Sequence, residues 1–441
     1  MTSQKNKITR VLVYPCASGV GQEIFFALQH HKDIEIYGAN SGGVTPGLFL
    51  YQENYICDGP AMKDEQKCIT WLQDIIKKKQ IDFLFPAYDD AQVWLKEREE
   101  ILGCKVVTSS VNTVQICRSK KKTYEALQAY IRCPFVYETK PTTYPVFIKP
   151  ECGEGSKGCY KIDSEEQLDS YFTKDHITIE YLPGEEYTVD CLSDLEGNLL
   201  FSGARERVIT RAGISILTKG IETTDEILGM AQKISKRLHC VGAWFFQIKK
   251  AIDGKMCLME VAPRIPGAMA FHREQGINFA SLSIDIHRGK SVRILQPRFT
   301  EGSYCCKIYT NYFLFPKAKP IQAFYLDLDD TLLVGPNINI DILRLVYLAK
   351  NRGIPIILLT RHKHDVYETL RERCIAKELF KKIVHLDTDT SKSKYIEKTP
   401  AIFIDDSFRE REDVYNRLQD VVCFDVDSIR SAEGFLTTTP A

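Results

Sequence analysis

The stretch FYLDLDDTLLV at residues 324–334 constrains this chain more than any other. An apolar run there delivers Asp327, Asp329, Asp330 and Thr331 together. Carboxylates at the end of a buried strand repel one another and resist desolvation, so a fold accepts them only with a compensating ion or a chemical use. A second apolar run, AIFIDDSFRERED, ends the same way in Asp405 and Asp406. Two strands ending in acids predict a shared Mg2+ site, because hard oxygen ligands suit that ion; Mn2+ is the alternative.

Composition sets outer limits. A length of 441 residues predicts roughly two to four domains. The net charge is zero, with 58 basic and 58 acidic side chains, which argues against a general nucleic-acid or anionic-membrane binder. RSKKKTY at 118–124 is a local basic cluster. No apolar stretch reaches bilayer length, and the run after the charged head is too short for a signal peptide. The 15 cysteines are scattered, and no CxxC pair has a matching partner, so zinc is not expected. Reduced thiols in a cytoplasmic protein are the expectation.

Apolar runs alternate with helical stretches over 1–110: VLVYPC, IFFALQHH, IEIYGAN, a helix near 64–79, IDFLFPAYDD, a helix at 91–102 and KVVTS. That is a parallel α/β pattern. The turn ASGVGQE is a partial dinucleotide fingerprint. A nicotinamide site would want an acid after the second strand; Glu35 lies inside it, so that reading is set aside. Residues 111–312 read as α+β, with a hairpin turning at Asp253-Gly254. A linker with Pro316 and Pro320 is expected over 313–321, and a second α/β domain over 322–441.

FIKPECGEGSKG places Lys149 at the end of a strand, before a loop containing Gly153, Gly155, Ser156 and Gly158. Backbone N–H groups in such a loop can approach phosphates while lysine supplies charge. No GK[ST] precedes a helix, so it is not a Walker loop.

With CRSKKKTYEAL, IEYLPGEEYTVD, GARERVITRAGIS and QIKKAIDGKMCLMEVAPRIPG in order, residues 10–310 resemble the ATP-grasp superfamily, in its carbamoyl-phosphate-synthase-like carboxylate–amine ligase branch. The resemblance implies an N-terminal Rossmann-like pre-ATP-grasp domain followed by an ATP-grasp fold that binds ATP and Mg2+. It implies that Lys120 and Lys149 hold ATP phosphates under a lid that includes Gly155 and Ser156. It places Glu180, Tyr181 and Leu182 at the adenine hinge, Glu186 on the ribose, and Gln247 and Glu260 on metal. It gives Arg264 the transferring phosphoryl group. Asp190, Arg205, Arg207 and Arg211 fall where relatives contact acceptor or phosphates; a solvated charged strand is the alternative for RERVITR. His272 is read equally as structural or functional. One departure is Ala262 in EVAPR, where the family usually has Asn, and another is the neutral Gln247; together they offer magnesium less charge.

Residues 322–430 resemble the haloacid-dehalogenase-like (HAD-like) superfamily. Asp327 would be the nucleophile and Asp329 the general acid and base. Thr360 would bind phosphoryl oxygens, and Lys392, with Lys394 as the alternative, would stabilise charge. Asp405 and Asp406 would complete a magnesium site with Asp327 and Asp329. Only 28 residues lie between Thr331 and Thr360, and 31 between Thr360 and Lys392. Neither gap holds a cap domain, so a capless, Rossmannoid and open site is expected.

The reading is a bifunctional enzyme. Its front part would be a ligase that activates a carboxylate as an acyl-phosphate for an amine, and its tail a phosphatase for a phosphorylated metabolite. A small-molecule kinase plus phosphatase, or an ATP-binding sensor regulating the phosphatase, are the alternatives. A homo-oligomer is compatible with this reading; nucleic acid and membrane partners are not expected.

Overall fold

The apolar runs of the first hundred residues form one parallel sheet. Its strands lie in the order Tyr55–Ile56, Ile34–Ala39, Thr9–Tyr14, Phe83–Pro86 and Lys105–Val106. Successive side chains on a strand face opposite sides. Val11 and Val13 therefore pack with Ile24 and Leu28 of the helix Gly19–Leu28, while Leu12 and Tyr14 pack with Cys68 and Leu72 of the helix Glu65–Lys79. The first of these cores also contains Phe279 and Ile284 from the helix Phe279–His287. A segment more than two hundred residues downstream thus completes the first α/β layer.

This computed structural model describes residues 8–153, 155–211, 213–297, 300–307, 313, 315, 318–387 and 390–437. The chain divides into two units, Met1–Ile308 and Tyr309–Ala441. Pro316 of the expected linker, Glu154 of the lid and Ala212 lie outside the described residues. No described helix is long and apolar enough to cross a membrane.

In the first unit, two antiparallel sheets follow the parallel one. Four strands run in the order Val136–Tyr137, His176–Glu180, Val146–Pro150 and Tyr160–Ile162. Six run in the order Met256–Ala262, Gly242–Lys250, Glu186–Ser193, Leu199–Arg211, Ile214–Gly220 and Tyr304–Cys306. The period-2 rule sorts the larger sheet into two faces. Val189, Cys191, Trp244 and Phe246 pack with Ile227, Ile234 and Leu238 of the amphipathic helix Asp225–Leu238. The opposite face carries Glu186, Thr188, Asp190, Arg205, Gln247 and Glu260, in rows fixed by the register Arg205↔Thr188↔Gln247↔Glu260.

The second unit has one five-stranded parallel sheet, in the order Lys382–His385, Ile356–Thr360, Ala323–Leu326, Ala401–Ile404 and Val421–Phe424. Phe324 and Leu326 pack with the helix Ile340–Asn351, and Ala323 and Tyr325 with Phe403 and Val414. Chain order reverses at the central strand, Ala323–Leu326. In open α/β sheets such a switch point opens a crevice at the carboxyl ends of the strands. Between Thr331 and Thr360 lie a two-stranded ribbon and one helix; between Thr360 and Lys392 lie a helix, a single 3-10 turn and a strand. Among the described residues neither gap contains an inserted domain. The closing helix, Ile429–Thr437, carries no strong sequence signal and was not anticipated.

Candidate functional sites

Lys149 is the penultimate residue of the strand Val146–Pro150 and is 3% exposed. Its Nζ donates to the Tyr124 hydroxyl at 2.7 Å and to the Met259 carbonyl at 3.2 Å, both uncharged. Burial, reinforced by the neighbouring charge of Lys120, pushes its amine down to about 7. Lys120 begins the helix Lys120–Leu127, where Ser119 accepts from the Lys122 N–H as the N-cap. Its Nζ donates to the Gly153 carbonyl at 2.9 Å. The two lysines form an under-neutralised cationic pair, the electrostatic setting that favours an anion.

The loop beyond Lys149 needs its unusual residues. Gly155, Ser156 and Gly158 all have left-handed backbones, with φ of 62°, 57° and 69°. The loop approaches the tip of the Leu199–Arg211/Ile214–Gly220 hairpin so closely that a Cβ on Gly213 would lie 2.6 Å from the Gly155 carbonyl carbon.

Gln247 and Glu260 are direct cross-strand partners. One amide oxygen and one carboxylate on adjacent strands are hard donors that fit Mg2+, with phosphate oxygens left to complete the shell. Arg264 follows on the same segment. It makes two hydrogen bonds to Asp89, at 2.6 and 2.7 Å, and its guanidinium lies 5.3 Å from the centre of the Phe245 ring.

The expected nucleotide residues occupy mixed settings. Glu180 ends the strand His176–Glu180, and its carboxylate pairs with Arg132 at 3.0 Å. Tyr181 carries Lys161 over its ring, and Leu182 is buried with Ala251 and Cys257. Glu186 pairs with Arg207 at 2.6 Å, so the acid expected on ribose has a cationic partner here.

Asp190 and Arg205 require a correction. They do not form a solvated strand face or an open acceptor site. Asp190 is fully buried, receives two hydrogen bonds from Arg205 at 2.7 and 3.1 Å, and meets His272 Nδ1 at 2.9 Å. Burial alone would raise the Asp190 carboxyl, but Arg205 and His272 together hold it at about 2. His272 is thereby a member of a buried ionic brace. Only the far end of the strand, including Arg211, is exposed.

In the second unit three of the four expected acids, Asp327, Asp405 and Asp406, come together. Asp327 follows the strand Ala323–Leu326, and its N–H donates to the Ile404 carbonyl at 3.0 Å, which aligns it with Asp405 on the next strand. Oxygens of Asp327, Asp405 and Asp406 all lie within 4.8 Å of one another. Lys392 Nζ bridges Asp327 at 2.9 Å and Asp405 at 2.6 Å, whereas Lys394 is exposed. Burial raises the Asp327 carboxyl, while burial and then the Asp327 charge push Asp405 to about 7. Burial also pushes the Lys392 amine down, but its two carboxylate partners overcome that and raise it. Three carboxylates against one ammonium leave a deficit of positive charge that a divalent cation would fill. Thr360 is fully buried at the end of its strand, and its hydroxyl has no hydrogen-bond partner among the described residues. Thr331 donates to Asp406 at 3.2 Å and accepts the Asp406 N–H at 3.0 Å.

Asp329 departs from the expectation. Its carboxylate is not in the three-acid group; both its oxygens lie 2.9 Å from His362 Nδ1. Sequence reasoning missed His362, Asp89 and Arg411. Arg411 donates to the Asp405 and Asp406 carbonyls at 2.5 and 2.7 Å. Asp89 had a usable signal: in LFPAYDD, as in FYLDLDD, acids end an apolar run.

Comparison with known proteins bears on the first unit. Residues 172–304 match a family model described as ATP-grasp in the biosynthetic pathway with Ter operon. The fold is similar to a biotin carboxylase from Campylobacter jejuni, with TM-score 0.54 and 15% identity over 66% of this chain and 73% of that one. It is similar to an L-amino acid ligase from Bacillus licheniformis, with TM-score 0.52 and 18% identity over 64% and 75%. N5-carboxyaminoimidazole synthetase from Staphylococcus aureus, in complex with ADP, gives TM-score 0.54 and 16% identity over 66% and 80%. The chain carries an ATP-grasp domain.

Proposed function

We propose that the first unit is an ATP-dependent ligase that joins a carboxylate to an amine, and that the second is a phosphomonoester hydrolase. The observation that carries the first half is the buried Lys149–Lys120 pair beside the Gln247/Glu260 register, with Arg264 on the same segment. Lys149 and Lys120 would neutralise the ATP phosphates, and Arg264 would meet the charge on the transferring phosphoryl group. A substrate carboxylate oxygen would attack the γ-phosphorus, breaking its bond to the ADP oxygen. The amine would then attack the acyl carbon, expel phosphate and lose a proton. Mg2+ held by Glu260 and Gln247 would supply charge neutralisation at the phosphates. Carboxylate–amine chemistry agrees with the ligase and synthetase names among the fold's neighbours, and the matching family description is consistent with a biosynthetic role.

In the second unit, the bridging of Asp327 and Asp405 by Lys392 supports a phosphoryl-transfer site. Asp327 would attack phosphorus, breaking the ester P–O bond as the Asp329 carboxyl gives its proton to the leaving oxygen. Water would then attack the aspartyl-phosphate, Asp329 taking its proton, to release phosphate and free Asp327. Mg2+ at Asp327, Asp405 and Asp406 would offset the charge on the phosphoryl oxygens.

The ligase reading is tested with a carboxylate pool labelled with 18O and an amine pool. Transfer of one label atom into inorganic phosphate is expected. ADP formation that needs no amine and leaves a stable phosphorylated product would replace the ligase with a kinase.

A further inference from the structure

Asp329 is held by a built arm. His362 lies two residues beyond the strand Ile356–Thr360, and Nδ1 contacts both Asp329 oxygens at 2.9 Å. Its Nε2 meets the Thr369 hydroxyl at 2.8 Å, on the helix Val366–Glu372. The His362 carbonyl accepts from His385 Nε2 at 2.5 Å. The preceding residue is also fixed, since Arg361 pairs with Glu410 at 3.1 Å and donates to the Asp387 carbonyl at 2.6 Å. The His362 side chain is 9% exposed, against 48% for that of Asp329. A rigid, buried imidazole therefore grips a half-exposed acid two residues from Asp327.

Nothing in the reaction scheme above accounts for this arm. Without it, a short acid so near Asp327 is free to turn toward the group of Asp327, Asp405 and Asp406. With it, both oxygens are fixed away from that group. When Asp329 is ionised it can only accept, so Nδ1 carries the hydrogen and Thr369 donates to Nε2.

We infer that His362 is a positioning residue that holds Asp329 in the proton-transfer role. This deepens, and rests on, the phosphatase reading of the second unit.

The experiment compares two esters on the full chain. The leaving oxygen of an alkyl phosphate needs a proton as the P–O bond breaks; that of p-nitrophenyl phosphate leaves as a stable phenolate. In His362→Ala, kcat/KM, which reads the steps through ester P–O cleavage and not the later hydrolysis of the aspartyl-phosphate, should fall at least about tenfold more for the alkyl ester than for the aryl ester, in line with the usual general-acid contribution of roughly 10²–10⁴-fold. Asp329→Asn should show the same selectivity, and the double variant should add little. His362→Asn keeps an N–H donor near the Nδ1 position and should recover much of the alkyl-ester rate, which a general loss of packing would not allow. Equal losses on both esters in His362→Ala, or no loss on either, would overturn the inference. Asp327→Asn separates the two levels. If it abolishes both hydrolyses while His362→Ala shows no selectivity, only the His362 role fails. If the wild-type chain hydrolyses neither ester, or Asp327→Asn retains activity, the phosphatase reading fails and the inference with it.

Discussion

Nucleotide binding should take up a proton at Lys149. The amine is 3% exposed, its hydrogen-bond partners are a hydroxyl and a carbonyl, and Lys120 adds a second positive charge. Together these move it from 10.5 to about 7. That displacement, roughly three and a half pH units, corresponds to ~5 kcal/mol against the charged form. At pH 8 only about a tenth of Lys149 is charged in the free protein, so a bound triphosphate that restores the charge draws in about 0.9 proton. The phosphates of ATP are already ionised at that pH, which leaves the protein as the site of uptake. Calorimetry at pH 8 with ATP, in the absence of carboxylate and amine and in two buffers of different ionisation enthalpy, reads the proton directly. Affinity should weaken about tenfold per pH unit above about 7. Lys149→Met should remove both the uptake and the pH dependence. The sign carries over to stability. The folded value lies below the unfolded one, so the unfolded chain binds more protons between about 7 and 10, and the free first unit gains stability as pH rises through that window. A binding heat identical in both buffers would refute the reasoning.

Asp190→Asn should destabilise the first unit by about 3–5 kcal/mol in urea unfolding, because it leaves the Arg205 charge buried without its counter-ion. With Asp190 held at about 2, its contribution is complete above about pH 4, the ordinary carboxylate value, and is lost as pH falls toward 2, which acid unfolding of the wild type and this variant would resolve. Asp89→Asn should lower ADP formation roughly tenfold to a hundredfold by loosening Arg264, with little effect on phosphate release by the second unit. Gly213→Ala forces a left-handed backbone and a clash with Gly155, and should raise the KM for ATP at an intrinsic cost of about 1 kcal/mol.

Local pattern made much of both candidate sites readable. Lys149 was legible because a strand delivers it to a glycine-rich turn; Gln247 and Glu260 came from the family resemblance, because a bulge between Gln247 and Ile248 shifts the pairing by one residue from the register the Asp253-Gly254 turn would set. Asp327, Asp405 and Asp406 were legible because apolar runs end in acids, which burial makes costly without a purpose. What the sequence hid are pairings between distant segments. Asp89 meets Arg264 across 175 residues, and Asp190 meets His272 across 82. No periodicity encodes such a partner, and an isolated RER motif on a strand reads equally as solvated or buried. Asp329 shows the same limit at closer range: its motif named the residue, but His362 decides where its carboxylate goes. The packing of Phe279 and Ile284 under the first sheet was invisible for the same reason, since an amphipathic helix does not name the face it will cover.

Independence of the two proposed phosphoryl-handling sites follows from their separate sets of residues. Its most direct test follows ADP and inorganic phosphate separately in the wild type, Lys149→Ala and Asp327→Asn, each given ATP with carboxylate and amine pools and, in parallel, phosphate esters without ATP. Lys149→Ala should lose ADP formation and keep ester hydrolysis; Asp327→Asn should lose ester hydrolysis and keep ADP formation. Loss of both activities in either variant would contradict independent sites.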